Sequence, residues 1–107
     1  MKAQPMILTK SGYKKCVVNE ATHLQFTVPS DQELIQILPV ILKGNRQNTG
    51  SWTWNGDTNS PTLKPSVLIT FDGFRCHSFI TDGHARFLND CSHSSAGKTI
   101  ELPEIEE

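Results

Sequence analysis

The segment from Cys76 to His93 restricts the fold of this chain most, because it predicts a β-hairpin of defined register. Asp82-Gly83 is a strong signal for a two-residue turn, since a type I′ turn needs positive φ at both central positions. Apolar and polar residues alternate on both sides of this dipeptide, as they do in half-buried strands. The sequence therefore predicts two antiparallel strands in which Ser78 lies opposite Phe87.

Side chains of these two strands point alternately to opposite faces of the hairpin. The first face carries Cys76, Ser78, Ile80, Ala85, Phe87 and Asn89. Cys91 extends this face, and so does His93 if the strand runs that far. The second face carries His77, Phe79, Arg86 and Leu88. Two thiols and one imidazole thus lie on one side of the open end of the hairpin, where they can bind one soft cation.

The chain has six candidate soft metal ligands: Cys16, His23, Cys76, His77, Cys91 and His93. The alternative is that the cysteines are small buried hydrophobic residues and the histidines are polar surface residues. The whole set favours metal ligation, because each cysteine has a histidine within seven positions. We predict one zinc ion with the ligands Cys76, Cys91 and His93 and, as the fourth, Cys16 or His23. His77 is then left as a core residue or as a functional residue outside the ligand set.

The composition is typical of one small globular domain over residues 1–107, with 36% hydrophobic and 20% charged residues. A net charge of −1 gives no electrostatic footprint for DNA or RNA, so nucleic acid is not indicated as a partner. The longest apolar run, Leu34–Leu42, is too short to span a bilayer, and residues 1–5 lack the apolar core of a signal peptide. These two absences predict an intracellular protein. Three cysteines, an odd number, in a reducing compartment argue against a disulfide framework and for metal or thiol chemistry.

The pattern of the whole chain predicts a mostly β, β-rich α+β fold, a single small domain built on antiparallel hairpins with one short helix. Ser30 and Glu33 form a capping-box pattern, which predicts that the helix spans 31–38. Pro39 then ends this helix, because proline has no N–H to continue the hydrogen-bond ladder.

Four further segments have a predicted conformation. Short strands are expected at Trp52–Trp54 and Val67–Phe71, a polar loop at Gly44–Ser51, and a frayed acidic tail at 103–107. Trp52 and Trp54 lie on one face of their strand, and they either pack in the core or form a stacking platform for a base or a peptide.

Five stretches of the second half of the chain carry a family resemblance. They are Trp52-Thr53-Trp54-Asn55-Gly56-Asp57, Ser60-Pro61-Thr62-Leu63-Lys64-Pro65-Ser66-Val67, Cys76-His77-Ser78-Phe79-Ile80-Thr81-Asp82-Gly83, Phe87-Leu88-Asn89-Asp90-Cys91-Ser92-His93 and Ala96-Gly97-Lys98-Thr99. With them the chain resembles a domain family of small phage and prophage proteins, of unassigned activity and often mislabelled as ammonia monooxygenase. The resemblance implies a zinc-type site in which an N-terminal Cys-x-x-Cys-x-x-x-His motif aligns with Cys16, Asn19 and His23. Asn19 therefore stands where that family has its second cysteine.

These observations favour a small zinc-binding accessory protein of phage type that acts as an interaction module, since thiolate-rich metal sites are usually closed and structural. The resemblance implies a protein partner from the host or its defence systems, and a cytoplasmic location in a bacterial host. The alternative is a metal-dependent hydrolase in which His77 or His23 remains as a general base. Enzymatic activity and oligomeric state are left open at this point.

Overall fold

The computed structural model describes residues 1–44 and 50–105, and it confirms a small β-rich domain. Its strands are β1 (Ala3–Thr9), β2 (Gly12–Lys15), β3 (His23–Pro29), β4 (Glu33–Leu42), β5 (Trp52–Trp54), β6 (Leu63–Lys64), β7 (Val67–Phe71), β8 (Phe74–Thr81), β9 (His84–Phe87) and β10 (Thr99–Glu101). A single turn of 3-10 helix, Val18–Glu20, lies between β2 and β3. Most of the polar loop predicted at Gly44–Ser51, and residues 106–107 of the predicted tail, lie outside the described residues. The described part of the chain forms no helix that is long and apolar enough to cross a membrane.

The strands form two sheets that share one core. A six-stranded sheet has the order β2-β1-β3-β4-β5-β6, and a four-stranded sheet has the order β10-β9-β8-β7. Strands β4 and β5 pair in parallel, and the other neighbours in both sheets pair antiparallel. Buried side chains of both sheets meet in the core, among them Leu24, Phe26, Val28, Trp54, Val67, Cys76, Ile80 and Phe87. Trp54 is fully buried there and Trp52 is packed against the same cluster, so both tryptophans contribute to core packing.

Two hairpins with the same turn chemistry fix the register of the four-stranded sheet. Asp82-Gly83 has φ values of 48° and 77°, as the predicted type I′ turn requires, and Ser78 pairs with Phe87. Asp72-Gly73, with φ values of 45° and 79°, forms the equivalent two-residue turn between β7 and β8. The predicted hairpin and its register are therefore confirmed.

The helix predicted over 31–38 is wrong, because this segment forms most of β4, which pairs with β3. Leu34–Leu42 is rich in β-branched residues, and its first side chains alternate in burial as a strand requires. The Ser30 hydroxyl accepts from the Gln32 N–H at 3.2 Å and donates to the Gln32 carbonyl at 2.6 Å, so it closes the β3–β4 turn instead of capping a helix. Pro39 is tolerated because it lies where β4 changes its partner from β3 to β5.

Residues 103–105, the described part of the predicted acidic tail, contact the first residue of the chain. The Ile105 N–H donates to the Met1 carbonyl at 2.7 Å, and the Met1 ammonium pairs with Glu104 Oε2 at 2.8 Å. The hydrogen bond from this ammonium lowers the pKa of Glu104. The contact joins the two ends of the sequence, so the composition of the tail alone gives no signal for it.

Packing in the shared core predicts a large difference between two phenylalanines. Phe26 is 1% exposed, whereas Phe79 is 39% exposed on the face of the four-stranded sheet that is turned away from the core. Phe26→Ala should lower the free energy of unfolding by about 3–5 kcal/mol because it leaves a cavity. Phe79→Ala should cost about 1 kcal/mol, the average for point substitutions. Urea denaturation measures both values, and equal costs would contradict the core position of Phe26.

Candidate active site

The four-stranded sheet has a core face and an outer face, and strand alternation distributes the polar residues between them. Cys76 is fully buried on the core face, so His77, the next residue of β8, points to the outer face. Leu68 of β7 pairs with His77 across the ladder and is exposed. Ser66, two residues before Leu68, lies on this outer face diagonally beside His77.

Three polar side chains on the outer face form a continuous hydrogen-bonded chain. Ser66 Oγ lies 2.9 Å from His77 Nε2, and His77 Nδ1 lies 3.0 Å from Asp90 Oδ2. Because an ionised carboxylate only accepts hydrogen bonds, Nδ1 carries a proton and donates it to Asp90. The neutral ring then has its lone pair on Nε2, which accepts the hydrogen bond from the Ser66 hydroxyl. Hydroxyl, imidazole and carboxylate in this order are the arrangement of a Ser-His-Asp triad.

Arg75 fixes the carboxylate end of this chain. Its Nε and Nη2 atoms donate to Asp90 Oδ2 at 2.9 and 2.8 Å, so one oxygen accepts from both the guanidinium and His77. The hydrogen bonds from Arg75 first, and from His77 second, lower the pKa of Asp90. The carboxylate is therefore ionised at neutral pH, as its acceptor role requires.

The backbone of Ser66 is held on both sides. Val67, the next residue, is 2% exposed and anchors the start of β7 in the core. Trp52 Nε1 donates to the Ser66 carbonyl oxygen at 3.3 Å. An open pocket of about 230 Å³ is lined by Gly50, Ser51, Trp52 and Pro65. Because Pro65 directly precedes Ser66, this pocket lies next to the residue that bears the hydroxyl.

A second group, the thiol cluster of Cys76, Cys91 and His93, lies at the core side of the sheet. The ligand atoms of these three side chains all lie within 4.8 Å of one another. Burial first, then the Cys91 thiol and the Asp31 carboxylate, raise the pKa of Cys76 to about 12, so a bound cation has to displace its proton. Two thiols and an imidazole at this spacing match the soft donors that zinc prefers. In donor chemistry and spacing the cluster fits one cation.

His93 has a buried ring atom, Nε2, that finds no hydrogen-bond partner among the described residues. The Ser95 N–H donates to its Nδ1 at 3.2 Å, so the proton of the neutral ring is on Nε2. Phe74 and Phe87 pack on the ring at centroid distances of 5.6 and 5.0 Å. A buried polar atom without a partner costs free energy. A cation bound at Nε2 would be that partner. The ring proton would then be on Nδ1, which could no longer accept the hydrogen bond from the Ser95 N–H.

Cys16 and His23, the predicted sources of a fourth ligand, do not belong to the thiol cluster. Cys16 follows β2, and its N–H donates to the Pro5 carbonyl of β1 at 3.1 Å. His23 begins β3 and packs edge-on against Tyr13 at a centroid distance of 5.0 Å. The structure therefore brings together three of the five predicted ligands, and metal binding by them stays a prediction.

Most of the chain matches a known family of bacterial proteins. The sequence model described as "Bacterial ubiquitination-like system serine protease (BubE)" matches residues 16–88. The chain belongs to the BubE family. The matched residues include Ser66 and His77, and the match ends just before Asp90. No curated protein and no solved structure matches the chain.

Ser66 and Asp90 are not among the predicted site residues, although the sequence holds a signal for Ser66. The type I′ turn at Asp72-Gly73 fixes the register of β7 against β8, and this register puts Ser66 diagonally beside His77. Asp90 lies in a turn beyond the end of β9, so strand alternation does not predict the direction of its side chain. Hydrogen bonds from the Leu88 N–H to the His77 carbonyl and from the Ser92 N–H to the Arg75 carbonyl hold its segment beside β8.

Proposed function

We propose that this chain is a serine protease that cleaves a peptide bond with Ser66 as the nucleophile. The observation that supports the proposal is the pair of hydrogen bonds that link Ser66 Oγ to His77 Nε2, at 2.9 Å, and His77 Nδ1 to Asp90 Oδ2, at 3.0 Å. The description of the family, a serine protease of a bacterial ubiquitination-like system, supports the same chemistry. The substrate that we infer is a protein of such a system.

In the acylation step, Ser66 Oγ attacks the carbonyl carbon of the scissile bond while His77 Nε2 takes the hydroxyl proton. A C–O bond forms, and the π electrons of the carbonyl move onto its oxygen. Asp90 accepts the Nδ1–H of the resulting imidazolium and stabilises its charge. His77 then gives the Nε2 proton to the leaving nitrogen as the C–N bond breaks, which leaves an ester on Ser66.

In the deacylation step, a water molecule attacks the ester carbon while His77 Nε2 takes one of the water protons. The ester C–O bond then breaks, and His77 returns the proton to Ser66 Oγ. The products are a free carboxyl group and the original serine, so the cycle needs no reactant besides water.

The outer face offers apolar surface on both sides of the catalytic histidine. Leu68 is 48% exposed and lies directly opposite His77, and Phe79 is 39% exposed. Strand β7 is the terminal strand of its sheet among the described strands, so its edge begins at the nucleophile Ser66. An extended peptide can pair with such an edge and place apolar side chains on this surface. The pocket beside Pro65 then lies next to the scissile bond.

We propose zinc as the ion of the thiol cluster, one per chain, in a structural role. Cys76, Cys91 and His93 would hold it, and it would cross-link β8 to the segment that follows β9. The cluster lies at the core side of the sheet, whereas Ser66 and His77 act on the outer face. This separation favours a structural role for the ion over a role in the attack on the substrate.

An interaction module of phage origin with a host or defence partner stays an alternative, and so does a metal-dependent hydrolase with His77 as general base. The cytoplasmic location is likewise a prediction. The triad favours serine catalysis over both alternatives, because a hydroxyl bonded to an oriented imidazole is the specific requirement of an activated serine. An interaction module has no need of a reactive serine, and this difference can be measured.

A fluorophosphonate probe tests the proposal without knowledge of the substrate, because it reacts with a serine that an adjacent base activates. We expect one adduct per chain by intact mass spectrometry, located on Ser66 by peptide mapping, and none in Ser66→Ala. Ser11→Ala, at an exposed serine between β1 and β2, should keep the adduct. A folded protein without an adduct would contradict the protease and favour the interaction module.

A further inference from the structure

The thiol cluster and the triad are built from neighbouring residues of the same two segments. Cys76 precedes His77 in β8, and Cys91 follows Asp90 after β9. The His77–Asp90 contact therefore joins these segments on the outer face, and the cysteines meet between the same segments at the core side. A cation that holds both sulfurs would tie together the two segments on which imidazole and carboxylate meet.

Cys91 also contacts the backbone of the catalytic histidine. The His77 N–H donates to Cys91 Sγ, and the Cys91 thiol donates to the His77 carbonyl, both at 3.2 Å. A cation-bound thiolate keeps the first of these as a charge-assisted hydrogen bond and loses the second together with its proton. Binding of a cation to Cys91 Sγ would therefore change the backbone hydrogen bonds of His77, the proposed general base.

The segment that carries Asp90 is fastened to β8 on both sides of the carboxylate. Before it, the Leu88 N–H donates to the His77 carbonyl at 2.9 Å. After it, the Ser92 N–H donates to the Arg75 carbonyl at 2.9 Å, and the Arg75 N–H donates to Ser92 Oγ at 2.8 Å. Cys76 and Cys91 of the thiol cluster lie between these two attachments, each next to the residue of the His77–Asp90 contact on its own segment.

We propose that a divalent cation bound by Cys76, Cys91 and His93 aligns His77 with Asp90, and that Cys91 is a positioning residue of the active site. The proposal rests on the proposed function, since it concerns the same triad. Two thiols and an imidazole select a soft divalent cation such as Zn²⁺. Loss of this cation lowers the reactivity of Ser66, although no ligand of the cation touches the substrate.

Removal and return of the cation test this proposal on the wild-type chain. We expect one equivalent of Zn²⁺ per chain, and a Co²⁺ form with thiolate-to-cobalt absorption that is absent in Cys91→Ala. After chelation, with the β-sheet signal retained in circular dichroism, the maximal rate of fluorophosphonate labelling should fall about 10-fold or more. Probe affinity should be unchanged, and added Zn²⁺ should restore the rate. Cys16→Ala, at a free cysteine outside the cluster, is the matched control and should behave as wild type.

The amide resonance of His77 gives a readout that is independent of catalysis. Zn²⁺ should shift the ¹H–¹⁵N signal of His77 in the chelated wild type and equally in Ser66→Ala, because the N–H donates to Cys91 Sγ in both. If Cys91→Ala does not fold, the wild-type chain with and without Zn²⁺ gives the same comparison.

The outcomes separate this proposal from the proposed function. A His77 shift on Zn²⁺ binding without probe labelling in any form would contradict the protease and still support alignment by the cation. Unchanged labelling after chelation, with no His77 shift, would overturn the alignment and leave the protease intact. A chain that binds neither Zn²⁺ nor Co²⁺ would overturn the alignment as well.

Discussion

His77→Ala should lower the rate at which Ser66 is acylated by about 10⁴-fold or more, as loss of the base does in other Ser-His-Asp enzymes. A serine hydroxyl is a weak nucleophile at neutral pH unless a base removes its proton during the attack. His77 Nε2, 2.9 Å from Ser66 Oγ, is the acceptor of that proton. The rate of fluorophosphonate labelling measures the loss before any substrate is known, and peptide hydrolysis measures it afterwards.

His84→Ala is the matched control for this prediction. His84 follows the hairpin turn with a side chain that is 44% exposed, and its Nδ1 donates to the Asp82 carbonyl at 2.9 Å. We expect its labelling rate to equal that of the wild type, because His84 has no contact with the triad among the hydrogen bonds described. If both variants kept full reactivity with Ser66, a base other than His77 would have to activate the serine. If both lost it equally, the loss would be one of folding.

The hairpin of β8 and β9 could be predicted because its determinants are local. Asp82-Gly83 fixes the turn, the turn fixes the register, and alternation then assigns each side chain to a face. Cys76, Ser78 and Ile80 are buried as this assignment requires, and Phe79 is exposed. Sequence reasoning is reliable where one short segment decides the structure.

The strand β4 could not be predicted in the same way, because its conformation depends on partners distant in sequence. Ser30 and Glu33 satisfy a helix-capping pattern, and the segment after them is apolar on nearly every residue. Pairing with β3 on one side and β5 on the other makes it a strand. Local propensity is a weak signal when such tertiary pairing is available.

The candidate site shows the same division between local and distant determinants. The sequence predicts that Cys76, Cys91 and His93 converge, because one hairpin and its continuation carry all three, and their ligand atoms do lie together. The predicted fourth ligand, Cys16 or His23, lies elsewhere: Cys16 follows β2, and His23 begins β3 of the six-stranded sheet. Its choice rested on a motif in which Asn19 replaces a cysteine, and no local register connects that motif to the hairpin.

Asp90→Ala should lower the maximal rate of Ser66 acylation by about 10⁴-fold, with little change in probe affinity. Without the carboxylate, the proton of His77 is no longer fixed on Nδ1, and the imidazolium formed during the attack loses its counter-charge. The side chain of Asp90 is 42% exposed, so we expect the variant to stay folded. Labelling measured over a range of probe concentrations gives both values. A lower maximal rate at unchanged probe affinity indicates misorientation of His77, whereas a lower affinity indicates a loss of probe binding.

Arg75→Ala decides whether the carboxylate acts through His77 or through the ion pair. Arg75 and His77 donate to the same oxygen, Oδ2, at 2.8–3.0 Å, so a damaged ion pair alone could also disturb Asp90. Because the ion pair is exposed to solvent and screened, its loss should lower the rate only a few-fold. A loss in Arg75→Ala as large as that in Asp90→Ala would show that the guanidinium, and not the imidazole, is the essential partner of this carboxylate. A small loss in Arg75→Ala together with a large loss in Asp90→Ala would show that Asp90 acts by orienting His77 and stabilising its charge.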